Sequence, residues 1–388
     1  KVDYNTGRYD MHQLLVQFMR TKLSQQPDEE QQALERHAAF YAAFLHARRD
    51  LLKGETLART QAEIQAEIDN IRATWHWSVA HCRLDLIAQA CDGLGDLYNL
   101  RSLHHEKLST FQSALAVVEK CPESPERDRL ELALLMHLQA AVVVIHGWTD
   151  DRVLVVSQRV DKLTSRLGMD WEQIVNLVIL MNYHTNGNWD QARHFLHSAG
   201  EIAQRLSDPA ALAIHAAMSE HVMWELGEFP AAMEHLQRGL ALFDPNAGLS
   251  QTRVFHIDVG GILLSHLGYV RGVMGFPAQG EQALQAALDR GLELESVPLE
   301  AFALGFRVRF NDETHQYAQQ AETLARLDRF AALLSEAERA RVKGIAAMTL
   351  IDAAFIDALP NLQIIANFGV GYDAVDAGHA GTRGVMVT

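Results

Sequence analysis

Four glycine–aromatic groups recur through the middle of this chain, and they limit the possible folds more than any other feature. Gly147-Trp148, Gly187-Asn188-Trp189, Gly227-Glu228-Phe229 and Gly275-Phe276 are separated by 40, 40 and 48 residues. Small residues, Ala192, Ala232 and Gly280, follow the last three aromatics by three or four positions. Glycine permits a tight turn, the aromatic is expected to plug the gap between two helices, and the small residue lets them approach closely. A helix pair cannot bury its apolar face alone, so such units are expected to stack into a solenoid.

The flanking segments have helical spacing. Met11, Leu15, Phe18 and Met19 form one stripe, and Leu34, His37, Ala38, Tyr41 and Leu45 a second. Ile64, Ile68, Ile71, Trp75 and Val79 form a third. Such i, i+3, i+4 patterns predict amphipathic helices. Ser124-Pro125-Glu126 has the chemistry of a helix start, with a capping hydroxyl, proline in the first turn and an acid near the helix dipole. Leu130, Leu134, His137, Leu138 and Ala141 then make the buried face, and Val142-Val143-Val144-Ile145 stays in the helical frame.

Composition narrows the function. A chain of 388 residues with 48% hydrophobic and 21% charged content fits two or three folded domains. The net charge of −15 argues against a nucleic-acid partner, which usually requires a basic face. Cys82, Cys91 and Cys121 show no CxxC spacing and are read as structural thiols of a cytoplasmic protein. The 19 histidines include His12 and the adjacent His104-His105, but no HExxH, and neighbours about 100° apart on a helix chelate poorly together, so no metal is expected. No apolar run of about 18 residues and no signal peptide suggest a membrane. The chain starts at Lys1 and is expected to be a fragment at both ends.

After about residue 325 the pattern changes. Residues 341–347 read as a strand, 352–359 as a helix ended by Pro360, and 362–366 as a strongly apolar strand. Residues 376–382 suggest a short helix, weakened by Gly378 and Gly381 at about 1 kcal/mol each. Residues 384–388 suggest a third strand. Strand, helix, strand, helix, strand predicts a parallel α/β segment.

The sequence Asn367-Phe368-Gly369-Val370-Gly371-Tyr372-Asp373 resembles the substrate-loop signature of the D-isomer-specific 2-hydroxyacid dehydrogenases, and Arg383-Gly384-Val385 continues the likeness. The resemblance implies part of a flavodoxin-like substrate domain, with the backbone N–H groups of Val370 and Gly371 holding a substrate carboxylate. Gly-rich backbone suits an anion. The same residues fit G-x-G-x-x-A after a strand, a dinucleotide fingerprint whose confirming acid would fall beyond Thr388. The resemblance assigns the loop to substrate. NAD(P) is implied only for the dehydrogenase parent, because the family's cofactor and catalytic residues lie downstream; this chain is expected to carry no cofactor and to be inactive.

The helical part has a resemblance of its own. Arg8-Tyr9-Asp10-Met11-His12-Gln13-Leu14-Leu15 is similar to the end of the winged-helix domain of bacterial STAND-type signalling NTPases. Glu67-Ile68-Asp69-Asn70-Ile71-Arg72-Ala73-Thr74-Trp75 resembles the segment that follows it, and Met274-Gly275-Phe276-Pro277-Ala278-Gln279 a turn of their repeats. The NTPase's GxxxxGK[ST] loop is absent from the chain. The combined expectation is mainly α: a winged-helix end at 1–25, a tetratricopeptide-like solenoid at 26–320, and a partial α/β segment at 325–388. The function expected is a sensor or scaffold arm with a protein partner, the alternative being a fragment of a glyoxylate/hydroxypyruvate reductase-like enzyme. Two incomplete signatures meeting near 310–340 suggest a chimera.

Overall fold

The structure, a computed structural model, describes residues 2–3, 8–9, 13–52, 56–101, 103–185, 187–244, 258–294, 296–316, 319, 322–323, 326, 344–347, 353–357, 362–367 and 375–387. It is mainly α, a helical-repeat fold followed by a small parallel α/β segment. The chain divides into two compact units, residues 1–176 and 177–388.

The first unit opens with an antiparallel hairpin, β1 (Val2–Asp3) with β2 (Arg8–Tyr9). Helices α1 (Gln13–Leu23), α2 (Pro27–Arg49), α3 (Leu57–Ala66), α4 (Ile68–Ala80) and α5 (Leu84–Leu100) follow. Next come α6 (His104–Val118), α7 (Pro125–His146), α8 (Asp151–Leu167) and the start of α9 (Asp170–His184). α2 has Asp28, Glu29 and Glu30 in its first turn and His46, Arg48 and Arg49 in its last, both matched to the helix dipole. α7 starts as its sequence dictates, with Ser124 Oγ accepting from Arg127 N at 3.1 Å. The core gathers Ile64, Ile71, Trp75, Leu94, Tyr98, Phe111, Leu134 and Leu138 from α3 to α7.

Three expectations change here. The stripe from Ile64 to Val79 is not one helix: it breaks at Glu67, whose carboxylate accepts from Tyr41 Oη at 3.2 Å and Asn70 Nδ2 at 2.7 Å. The α1 stripe is helical but does not face a core, since Leu15, Phe18 and Met19 are 55%, 56% and 56% exposed; Met11 lies outside the described residues. Finally, α7 is long and apolar enough to cross a membrane by length and composition. Of its most apolar window 56% is buried, so this apolar surface mostly lines the core.

The second unit takes up the remainder of α9, then α10 (Trp189–Leu206), α11 (Pro209–Glu225), α12 (Phe229–Leu242), α13 (Val259–Val273), α14 (Pro277–Glu293) and α15 (Val297–Glu313). Gly187, Gly227 and Gly275 have φ of 110°, 76° and 88°, and Gly147 in the first unit has 87°. All four make turns that L side chains resist, as the recurrence predicted. Ala192 and Ala232 are fully buried, and a Cβ on Gly280 would lie 2.6 Å from the carbonyl oxygen of Gly268. The small residue therefore sets helix approach. Two of the aromatics do not plug the gap: Trp148 and Phe276 are 36% and 49% exposed, because they sit at the turn, whereas Trp189 and Phe229 are half-buried.

The α/β segment has the predicted order: β3 (Gly344–Ala347), α16 (Ala353–Asp357), β4 (Ile364–Asn367), α17 (Ala377–Thr382) and β5 (Met386–Val387). The sheet runs β3-β4-β5, all parallel, with Ile345 beside Ile365 and Ile365 beside Val387. Ile356, Leu362, Ile365, Val375, Ala380 and Val385 pack together. α17 forms despite Gly378 and Gly381, helped by Asp376 Oδ1 accepting from His379 N at 2.9 Å.

Candidate functional site

In the second unit, the sequence places large rings at i, i+3 or i+4 on three alternate helices, which puts each set on one helix face. α11 supplies His221 and Trp224, α13 supplies His266 and Tyr269, and α15 supplies Phe302, Phe306 and Arg309. α13 packs against both α11 and α15, so the rings meet. The His266 and Phe306 centroids are 4.6 Å apart, and Trp224 stands 5.2 Å from Tyr269 and 5.8 Å from Phe306. The Arg309 guanidinium covers Trp224 at 5.5 Å and Phe306 at 5.8 Å, within cation–π range. His221, Tyr269, Phe302, Phe306 and Arg309 are half-buried, so this face presents aromatic edges and one cation to solvent.

Beneath the rings lies an ionisable pair. Glu220 is fully buried, with Oε1 against His266 Nδ1 and with Oε2 lacking a hydrogen-bond partner. Burial pushes the Glu220 carboxyl up, and His266 opposes this. Burial pushes His221 down to about 3, with His266 and Arg309 adding to the shift.

The first unit holds a second polar cluster. Cys91 and Asp92 on α5 meet His137 on α7, and their donor atoms all lie within 4.8 Å of one another, so they could hold a metal ion. His137 Nε2 is 3.2 Å from Asp92 Oδ1, while Asp92 Oδ2 pairs with Arg49 Nη1 at 2.9 Å. Gly95 makes room: a Cβ there would lie 2.3 Å from His137 Cε1. Lys107 is fully buried, donates from Nζ to Asn99 Oδ1 at 2.8 Å, and is pushed down to about 8 by desolvation. Sequence reasoning missed this cluster because Asp92 and His137 are 45 residues apart and belong to no motif. Of the histidines considered earlier, His104 is half-buried with an unpartnered Nδ1, His105 is exposed, and His12 lies outside the described residues.

Burial of neutral histidines sets an acid limit. His104 is pushed down to about 4, by burial first and then by Lys107, and His221 to about 3. An unfolded histidine takes its proton near pH 6.5, whereas these folded sites resist until about 4 and 3. Stability is therefore full above about pH 6.5 and falls as the pH drops toward 3. Urea midpoints should hold above about pH 6.5 and decline from there to about pH 4.5; a flat profile would contradict the burial of these rings.

The predicted substrate-loop residues, Val370 and Gly371, lie outside the described residues. In the α/β segment, Asp357 on α16 accepts from His379 Nε2 at 2.9 Å and pairs with Arg383.

Residues 307–388 match the family model of the D-isomer specific 2-hydroxyacid dehydrogenase catalytic domain, and the match begins inside α15. Among solved structures, the chain is similar to the crystal structure of a Rap protein complexed with competence and sporulation factor. That likeness has 11% identity and a TM-score of 0.47, over 76% of this chain and 98% of that one. No curated protein matches the chain.

Proposed function

We propose that the helical part is a protein-interaction or sensor arm, of the kind borne by bacterial STAND-type cytoplasmic regulators, and that α11, α13 and α15 present its contact face. The supporting observation is the half-buried set of aromatic rings capped by Arg309, since interface anchors are enriched in aromatic side chains and arginine. The hairpin and helix at the N-terminal end fit the winged-helix resemblance. The test is capture of protein partners by the full chain and by a Phe306→Ser/Arg309→Glu variant. We expect at least tenfold weaker capture by the variant, with unchanged helicity by circular dichroism. Equal capture by both would rule out this face.

A second reading rests on the family match at 307–388. In it the tail descends from a dehydrogenase substrate domain, whose Val370 and Gly371 N–H groups once held a 2-oxo acid carboxylate and whose NAD(P) belonged to the parent enzyme. Purified chain should then leave NADH unoxidised with glyoxylate or hydroxypyruvate. Turnover would make the chain an enzyme and reverse the order of the two readings.

A further inference from the structure

We propose that Cys91, Asp92 and His137 form a binding site for a divalent transition-metal ion of the zinc(II) or cobalt(II) type. The donor set is one sulfur, one imidazole nitrogen and one carboxylate oxygen, all within 4.8 Å of one another. That mixture suits a borderline ion and not calcium or magnesium, which take oxygen ligands. For the imidazole–carboxylate pair the spacing also fits. Two ligands bonded at about 2.0–2.1 Å and separated by a tetrahedral angle lie about 3.3 Å apart. His137 Nε2 and Asp92 Oδ1 are 3.2 Å apart.

The surroundings hold these groups in position. The His137 ring is wedged between α5, where Gly95 leaves room, and the Phe111 ring at 5.1 Å. Asp92 turns Oδ1 toward the histidine and keeps Oδ2 on Arg49, so it can ligate without losing its orienting partner. Cys91 is 1% exposed, which shields the sulfur, while the Asp92 side chain is 36% exposed and gives an ion and its water a way in. Coordination replaces the Cys91 proton, which leaves to solvent.

The experiment titrates the full, reduced chain with cobalt(II) chloride and follows the sulfur-to-cobalt charge-transfer absorption. Wild type and a Cys82→Ser/Cys121→Ser variant should both develop the band with one equivalent of metal. Cys91→Ser should lose it, and His137→Gln should bind zinc(II) at least tenfold more weakly in competition with a chromophoric chelator. Thermal unfolding without metal checks that each variant folds. Should Cys91→Ser fail to fold, Asp92→Asn decides, because removing that ligand must also weaken zinc(II) binding at least tenfold. No band in wild type, a band that survives Cys91→Ser, or zinc(II) binding unchanged by Asp92→Asn would overturn the proposal.

Discussion

Replacing His266 with alanine should destabilise the second unit by about 3–5 kcal/mol, because it leaves Glu220 buried without a partner. Glu220 is fully buried and His266 is 8% exposed, so water cannot replace the lost imidazole. The remaining carboxylate oxygen already lacks a partner, so neither oxygen would have one. The same physics predicts that Glu220→Met with His266→Leu is close to neutral, since a buried ion pair is often no better than well-packed apolar groups. Urea unfolding of both variants tests this. If His266→Ala were as mild as the double variant, the pair would contribute packing alone.

Trp75→Ala should cost the first unit about 3–5 kcal/mol, the range for emptying a large aromatic site in a core. The Trp75 side chain is 1% exposed, its ring lies 5.2 Å from Phe111, and its Nε1 donates to the Thr110 carbonyl at 3.3 Å. Alanine would remove the ring contact and the indole hydrogen bond and leave a cavity between α4 and α6, while the Thr110 carbonyl would still accept from Ser113 Oγ. Trp75→Phe keeps most of the ring and should cost less than half as much. Hydrogen exchange of α4 to α6 should quicken in the alanine variant. A change below about 1 kcal/mol would mean that this site collapses freely, contrary to its place in the core.

Much of the fold was legible in local sequence. Gly147, Gly187, Gly227 and Gly275 marked turns because positive φ is a property of a single residue, and each adopts it. Ser124 and Pro125 marked the start of α7 by the same local logic. The strand and helix order of residues 344–387 followed from apolar periodicity and Pro360. The break at Glu67 was not legible, because the residue that holds it, Tyr41, is 26 positions away. Nor was the exposure of Phe18 and Met19, since periodicity reports that a face is apolar, not that anything covers it.

The sites divide the same way. Val370 and Gly371 could be expected to form an anion loop from sequence because the motif is contiguous, but they lie outside the described residues. The aromatic face of α11, α13 and α15 was not readable, since its rings come from three helices and each ring alone looks like core. The Cys91, Asp92 and His137 cluster needed α5 and α7 to pack with Gly95 at the crossing. Sequence alone determined the four glycine turns, most helix and strand segments, and which segment resembles a dehydrogenase signature, because these depend on neighbours within a few residues. Tertiary structure decided which rings, acids and thiols meet, because that depends on helix packing between residues tens of positions apart.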